Sequence, residues 1–357
     1  MIFQPKCLAT GIGSFPHARA EDAVRVVLDA IPDAPVWPQL PANGINEQME
    51  VQYSEGLPRV VIDREKERMY IDTSGDYSLD LATFYENFLA ENLDYFQITP
   101  AFSKGIYALE AALKAAGRVR PFVKLQATGP ITFGLTIVDE KKRAIYYNPE
   151  FIDTVIKGLV MKCRWQIQRF RPYAENIICF LDEPILSAFG SSTYMSVSRE
   201  DVVGKLKEVI EAIHAEGALA GVHCCGNTEW PILIDAGADI VNFDAFDFAE
   251  TVALYPQAMK RHLEAGKVLA WGVVPTNSAK IQSQTCASLL ARFDADVERL
   301  ASAAKIDRDL VMQQAMVTPS CGTGSLPVGD AERVFSLLCQ TSRALRERLG
   351  VARLSRP

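Results

Sequence analysis

The sequence has 357 residues, of which 48% are hydrophobic and 23% are charged, and its formal net charge is −7. This composition is typical of a globular protein with a large core, and the acidic balance argues against nucleic acid as a partner. No apolar run reaches the roughly 18 residues of a membrane span, and the first residues lack the pattern of a signal peptide. We therefore expect a cytoplasmic protein with its eight cysteines reduced.

Short apolar runs alternate with longer amphipathic segments along the chain. The apolar runs predict strands at 7–13, 35–40, 121–127, 175–182, 218–224, 239–244, 267–273 and 312–318. The amphipathic segments predict helices at 20–31, 79–92, 104–117, 150–171, 199–216, 284–304 and 331–348. Ser198 is the predicted N-cap of one of these helices, and Gly217 follows its end. An alternating, charged stretch at 59–72 predicts a β-hairpin inserted after the second strand.

Eight strands that alternate with helices fit either a closed parallel barrel or an open doubly wound sheet. The open sheet requires a GxGxxG turn after its first strand, but Phe15 and Pro16 interrupt that pattern in GIGSFPHA at 11–18. We therefore predict an α/β fold with a single (β/α)8 TIM barrel over residues 1–357. An insertion at about 43–76 carries the hairpin.

Reactive side chains lie where the predicted strands end. In a parallel barrel these carboxyl ends meet on one face, where barrel enzymes have their active sites. His223 and Cys225 end the fifth strand two residues apart, so their side chains point the same way. Cys321 ends the eighth strand, and Asp244 ends the sixth. One nitrogen, two sulfur and one oxygen ligand suit zinc, so we predict a metal site at these four residues; for each cysteine alone, the alternative is packing in the core.

Two further strand ends carry polar motifs with more than one interpretation. Asp182-Glu183-Pro184 ends the fourth strand, and its acids suit acid–base catalysis, an ammonium site or a solvated loop. The run GTGS at 322–325 follows the eighth strand and suits either a phosphate cradle or a tight turn.

Five motifs in this order resemble the C-terminal catalytic barrel of cobalamin-independent methionine synthase. That family belongs to a superfamily with uroporphyrinogen decarboxylase and the methylcobamide:thiol methyltransferases. The motifs are Ile12-Gly13-Ser14-Phe15-Pro16, Thr128-Gly129-Pro130, Asp182-Glu183-Pro184, His223-x-Cys225 and Cys321-Gly322. The resemblance covers essentially the whole chain. It departs at the fourth zinc ligand, which is a glutamate in the synthase and corresponds here to Asp244.

The resemblance implies a zinc-dependent methyltransferase that moves a methyl group to a thiol, with homocysteine as the expected acceptor and methionine as the product. It implies catalytic roles for His223, Cys225, Cys321 and Asp182, with Asp182 holding the ammonium group. The implied substrate-binding residues are Ile12, Gly13, Ser14, Glu47, Asp182 and Glu183. Among them, Gly13 and Ser14 would hold the carboxylate, and Glu47 is a candidate for a second ammonium contact.

The sequence is compatible with two classes of methyl donor, a folate and a corrinoid. The synthase uses a second barrel to help hold the polyglutamate tail of its folate donor, and this sequence contains one barrel only. A methylated corrinoid, carried on a partner protein, is therefore the expected donor beside folate. The alternatives are a methylcobamide:thiol methyltransferase with a different acceptor, a uroporphyrinogen decarboxylase-like enzyme, and a non-enzymatic corrinoid or metal carrier. The decarboxylase needs a cluster of arginines near the first strand end, where this sequence has only Arg19.

Overall fold

The computed structural model of the protein describes residues 3–191 and 196–351. The strands in these ranges are β1 Leu8–Ala9, β2 Val60–Asp63, β3 Arg68–Ile71, β4 Arg120–Thr128, β5 Val138–Asp139, β6 Ala174–Asp182, β7 Leu219–Cys224, β8 Ile240–Phe243, β9 Val268–Val274 and β10 Ala315–Pro319. The α-helices are α1 Ala20–Ala30, α2 Met49–Gln52, α3 Ser78–Leu89, α4 Lys104–Ala116, α5 Pro130–Thr136, α6 Pro149–Phe170, α7 Arg199–Ala215, α8 Pro231–Asp235, α9 Ala245–Val252, α10 Pro256–Glu264, α11 Ser278–Gln282, α12 Cys286–Ala304, α13 Arg308–Gln313 and α14 Val328–Arg348. Short 3-10 helices lie at Pro41–Asn43, Ile45–Glu47, Ile145–Tyr147, Arg171–Tyr173 and Pro184–Ala188.

The main sheet is a curled, parallel sheet with the strand order β1-β10-β9-β8-β7-β6-β4. Its register sets Thr128 opposite Asp182, and Asp182 opposite His223, so these three strand ends lie level with one another. The architecture is therefore α/β with a curled half-barrel of parallel strands, consistent with a TIM-like barrel.

The predicted strands overlap observed strands in every case except 35–40. That segment forms isolated parallel bridges at Val36 and Gln39 instead of a continuous strand. Pro35 and Pro38 explain the difference, because proline has no backbone N–H to donate to a ladder.

The same segment lies between the two edges of the main sheet. The backbone N–H of Gln39 donates to the carbonyl of Gly13 at 2.9 Å, just beyond β1. The N–H of Lys124, on β4, donates to the carbonyl of Pro35 at 2.8 Å. The segment 35–39 is thus hydrogen-bonded to the chain just after β1 and to β4, the two edge strands of the main sheet.

The stretch 59–72 contains the antiparallel pair of β2 and β3. Arg59 and Asp72 form an ion pair at 2.7 Å at its base, and β3 pairs in parallel with β5 on its other side. The three strands form a small sheet of their own.

Each of the seven predicted helices is present. Ser198 caps α7 as predicted, since its hydroxyl accepts a hydrogen bond from the N–H of Asp201 at 3.1 Å. Gly217 follows the end of α7 with φ of 72°, a left-handed conformation that glycine adopts without strain. Short helices such as α5 were not predicted. Most of α5 is buried, so it lacks the polar face that gives a helix its sequence periodicity.

The sheet separates two hydrophobic clusters. The larger one lies between the strands and the helices. The smaller one, here called the inner cluster, comprises the buried residues Leu8, Ala34, Ile178, Phe180, Ile240, Val268, Ala270 and Met316. Because side chains alternate along a strand, Asp182 and Asn242, each two residues beyond a member of the inner cluster, point to the same side. None of the helices in the described ranges combines the length and the apolar character that a membrane span requires.

Candidate metal centre

His223, Cys225 and Cys321 come together at the carboxyl ends of β7 and β10. One ligand atom from each, an imidazole nitrogen and two Sγ atoms, lies within 4.8 Å of the other two. His223 is 3% exposed, and both cysteines are partly buried. Residues nearly a hundred positions apart in the sequence thus form one group of soft donors, of the type that binds zinc.

The imidazole of His223 is oriented by Asn242. His223 Nδ1 lies 2.5 Å from Asn242 Oδ1, and Asn242 Nδ2 donates to the carbonyl of Ala270 at 2.8 Å and to Thr318 Oγ1 at 2.9 Å. Since the amide nitrogen is committed to two acceptors, Oδ1 accepts a hydrogen bond from Nδ1–H. The lone pair of the neutral ring is then on Nε2. This atom is buried and has no hydrogen-bond partner among the described residues.

Contact between the thiols of Cys225 and Cys321 shifts their pKa values in opposite directions. The Cys321 thiol, and after it the His223 ring, lower the pKa of Cys225. The same contact with Cys225, together with burial, raises the pKa of Cys321. Contact between the two sulfurs therefore favours loss of one proton from the pair, and thiolate is the form of cysteine that ligates metals. Binding of a metal by both sulfurs would release the proton that the pair retains.

Asp244, the predicted fourth ligand, lies outside this group of three. Its Oδ1 accepts a hydrogen bond from the N–H of Asp247 at 3.0 Å, which makes it the N-cap of α9. Burial raises the pKa of Asp244 to about 6, and the charge of His223 opposes that shift. A fourth ligand at Asp244 stays a prediction.

Asp182 ends β6 beside His223, and Thr128 ends β4 on its other side. Asp182 Oδ1 and Thr128 Oγ1 are both buried and have no hydrogen-bond partner in the described part of the chain. Burial raises the pKa of Asp182, and the charges of Lys124 and His223 oppose this effect. Buried polar atoms are nearly always paired in folded proteins, so an unpaired carboxylate oxygen and an unpaired hydroxyl at neighbouring strand ends indicate a polar ligand. The sequence singled out Asp182 but not Thr128 as a site residue.

Lys124 lies deeper in the same interior and is fully buried. Its Nζ donates to the carbonyl of Ile12 and to Gln126 Oε1, the latter at 3.3 Å, and lies 4.7 Å from the centre of the Phe180 ring. Burial lowers the pKa of Lys124 to about 8. The lysine ties the turn that begins at Ile12 to β4, a role that the sequence alone did not reveal.

Ser14 lies against the loop that follows Cys321. Its carbonyl accepts hydrogen bonds from the N–H and the hydroxyl of Thr323, both at 2.8 Å, and its Oγ accepts one from the N–H of Gly324 at 3.1 Å. Within residues 3–191 and 196–351 the Ser14 hydroxyl has no acceptor, so its proton is available to donate. Two backbone N–H groups of the run 322–325 are thereby used within the protein, which supports the tight turn over the phosphate cradle.

Glu183 has its carboxylate committed to the start of α5. It accepts hydrogen bonds from the N–H of Ile131 at 2.9 Å and from the N–H and hydroxyl of Thr132 at 2.7 and 2.6 Å. A Cβ on Gly129 would lie 2.1 Å from Glu183 Cδ, so only glycine allows this approach. Burial raises the pKa of Glu183 to about 7. The two acids of the Asp182-Glu183 pair thus have different surroundings, as expected for neighbours on a strand.

Glu47 is 3% exposed and also bonds to protein donors. It accepts hydrogen bonds from Gln52 Nε2 and from the N–H of Lys104, both at 2.9 Å. Gln52 in turn accepts one from Gln39 Nε2 at 2.6 Å. This chain of contacts connects the start of α4 to the segment that runs beside β1.

Comparison with known proteins gives structural similarity only. No protein-family model and no curated protein matches the sequence. A Listeria monocytogenes protein assigned as a vitamin-B12-independent methionine synthase superposes with a TM-score of 0.53 and 12% identity, over 92% of this chain and 85% of that one. A methyltransferase from Methanosarcina mazei superposes with a TM-score of 0.51 and 10% identity, over 90% and 86% of the two chains. At these identities the similarity shows a shared fold.

The arrangement defines what this end of the sheet can bind. One nitrogen and two sulfur donors fit zinc and leave a coordination position for a further ligand, as in catalytic zinc sites. Beside them lie an unpaired carboxylate oxygen at Asp182 and an available hydroxyl proton at Ser14. A candidate soft-metal site is thus combined with one carboxylate acceptor and one hydroxyl donor.

Proposed function

We propose that this protein is a zinc-dependent methyltransferase that moves a methyl group to the thiol of homocysteine and so forms methionine. The observation that carries the proposal is the convergence of a buried imidazole nitrogen of His223 with the Sγ atoms of Cys225 and Cys321. The fold shared with a protein assigned as a methionine synthase and with a methyltransferase supports the same function.

His223, Cys225 and Cys321 would hold the zinc ion, with Asp244 as the candidate for a fourth ligand. Zinc, when bound, lowers the pKa of a coordinated thiol and so provides a thiolate at neutral pH. As a zinc ligand, His223 would be a neutral imidazole, so the thiolates of Cys225 and Cys321 would balance the charge of a divalent ion.

The acceptor amino acid would be held between two strand ends. Asp182 provides a carboxylate for its ammonium group, and the Ser14 hydroxyl together with the Gly13–Ser14 backbone faces its carboxylate. Glu183 and Glu47 would act on substrate binding through the elements that they hold in place. Their oxygens already accept hydrogen bonds from the protein.

The reaction is a displacement at carbon. The acceptor thiol loses its proton to solvent, its sulfur forms a bond to the methyl carbon, and the bond between that carbon and the donor breaks. The electron pair of the broken bond leaves with the demethylated donor, and a folate donor also takes up one proton from solvent at the nitrogen that loses the methyl group. Both a methylated corrinoid, carried on a partner protein, and a methylated folate meet this requirement, and we propose the corrinoid as the preferred donor.

We further propose that the fold is a single-domain (β/α)8 barrel with the hairpin inserted after its second strand. The backbone hydrogen bonds of the segment 35–39 to Gly13 on one side and to Lys124 on the other support this closure. The position of β2 and β3, after this segment and before β4, supports the insertion.

The direct test is a methyl-transfer assay on the zinc-loaded protein. Homocysteine is supplied with methylcobalamin or with methyltetrahydrofolate, and methionine is measured over time. We expect methionine with at least one donor, loss of activity in Cys321→Ser, and full activity in the matched control Cys286→Ser, a partly buried cysteine on α12. Absence of methionine with both donors in a zinc-loaded protein would rule out this function. Methylation of a thiol without an amino group under the same conditions would favour the alternative acceptor.

A further inference from the structure

We infer that the turn Cys321–Gly324 fixes the metal ligand Cys321 to Ser14, which makes Gly322 and Thr323 positioning residues of the metal centre. This inference rests on the metal site proposed above. It adds a physical connection between the metal and the turn at the end of the first strand.

The turn is hydrogen-bonded to Ser14 at three points. Thr323 donates from its N–H and from its hydroxyl to the Ser14 carbonyl, both at 2.8 Å. The N–H of Gly324 donates to Ser14 Oγ at 3.1 Å. Thr323 is 1% exposed, so these bonds are shielded from competing water.

The residue before Cys321 is fixed as well. Ser320 donates from its N–H to the carbonyl of Val274 at 2.8 Å, at the end of β9. Its Oγ accepts a hydrogen bond from the N–H of Thr276 at 3.2 Å. Only Cys321 and Gly322 lie between this attachment and that of Thr323. The backbone position of the ligand Cys321 is therefore set from both sides.

Gly322 allows the close approach between the turn and Ser14. A Cβ at Gly322 would lie 2.0 Å from Ser14 Oγ and 3.2 Å from Ser14 Cβ. The first distance is far below any van der Waals contact, so either Ser14 Oγ leaves its bond to Gly324 or the turn moves away. A displaced turn carries Cys321 with it.

Ser14 is itself held by its neighbours. The N–H of Phe15 donates to the carbonyl of Gln39 at 2.8 Å, and Gln39 donates back to Gly13 at 2.9 Å. Because Ser14 is held in place, a substitution that pushes the turn away from Ser14 is expected to move the turn, and Cys321 with it. Coupling of this kind is reciprocal, so a group bound at Ser14 also changes the affinity for the metal.

The test measures zinc affinity of the full chain by competition with a chromophoric chelator, with zinc as the only probe. Gly322→Ala and Thr323→Val are expected to weaken zinc binding about 10-fold or more, the usual effect of disturbing groups that orient metal ligands. Thr323→Ser keeps the hydroxyl and is expected to bind zinc within about threefold of wild type. The control is Gly329→Ala, because a Cβ at Gly329 would meet no described atom within 4 Å beyond its chain neighbours and the backbone of its own helix.

A double variant tests whether Ser14 is the partner. In Ser14→Ala/Gly322→Ala the nearest contact relaxes from 2.0 Å to 3.2 Å, so zinc affinity should recover most of the loss seen in Gly322→Ala. No recovery in a folded double variant, or wild-type affinity in Thr323→Val, would overturn the coupling. If Gly322→Ala fails to fold, the comparison of zinc affinity between Thr323→Val and Thr323→Ser tests the inference without it. Absence of zinc binding by wild-type protein would instead refute the metal site itself.

Discussion

His223 Nδ1 and Asn242 Oδ1 lie 2.5 Å apart, and this contact decides which imidazole nitrogen faces the two thiols. A flip of the Asn242 amide is disfavoured, since its Nδ2 donates hydrogen bonds to the carbonyl of Ala270 and to Thr318 Oγ1. Histidines that ligate metals often bond to a carboxylate at this point. Here the partner is a neutral amide, which fixes the ring without adding negative charge.

We predict that Asn242→Ala weakens zinc binding by about 10- to 100-fold, because the ring loses the group that sets its tautomer and orientation. Competition with a chelator measures the effect. Thr318→Val removes only one acceptor of the amide and should have a smaller effect than Asn242→Ala. Equal zinc affinity in wild type and Asn242→Ala would show that the ring is oriented by other contacts.

We predict about one zinc ion per chain, lost or strongly reduced in Cys225→Ser and in Cys321→Ser. The reason is that each substitution removes one of three converging soft donors. Metal analysis after dialysis against a weak chelator gives the stoichiometry. Cys286→Ser serves as the control, and unchanged zinc content in both ligand variants would place the metal elsewhere.

The sequence was sufficient to predict which residues lie together at the strand ends. Side chains alternate along a strand, and the carboxyl ends of parallel strands lie on one face, so both properties follow from the order of the strands alone. His223 and Cys225 show this, since a spacing of two residues on a strand sets both on one side. To predict Cys321 as a site residue, it was enough to assume that the last strand ends on the same face of the barrel as the fifth. The predicted helices and most predicted strands followed in the same way from hydrophobic periodicity.

Residues that act through contacts between distant segments could not be predicted. Asn242 reaches His223 only because of the register between β7 and β8, and that register is not encoded in either strand alone. Lys124 occupies an inward position of an apolar strand, and its role depends on where the Ile12 carbonyl lies. Glu183 was predicted as a site residue together with Asp182 because the two are adjacent in the sequence. In the structure, its carboxylate accepts hydrogen bonds from the first residues of α5.

Lys162 provides a prediction that concerns stability and not the metal site. It is fully buried, its Nζ donates to the carbonyl of Phe96 at 3.2 Å, and burial lowers its pKa from 10.5 to about 7. Between these two values the unfolded chain carries a proton on this lysine that the folded protein has released. The free energy of unfolding therefore rises with pH across that window, by about 1.4 kcal/mol per pH unit from this group.

We predict that Lys162→Met removes this contribution. The variant should be more stable than wild type near pH 7, and the difference should shrink as the pH approaches 10. Urea unfolding of both proteins at several pH values measures it, and subtraction cancels the groups that titrate in both. A stability difference that does not change with pH would show that Lys162 keeps its ordinary pKa in the folded state.

The last prediction concerns Asp182, whose Oδ1 has no partner among the described residues and lies at a strand end beside His223, outside the group of candidate metal ligands. Asp182→Asn keeps the shape of the side chain and removes its charge. A charged hydrogen bond is worth about 1.5 to 3 kcal/mol, so we expect the KM for homocysteine to rise by about 10- to 100-fold while the zinc content stays at the wild-type level. Asp296→Asn is the matched control, because Asp296 is 8% exposed, as is Asp182, and lies on α12. The des-amino analogue of homocysteine separates charge recognition from general damage, since its KM should be the same in wild type and Asp182→Asn. An unchanged KM for homocysteine, or an equal rise for both thiols, would show that Asp182 does not bind the ammonium group.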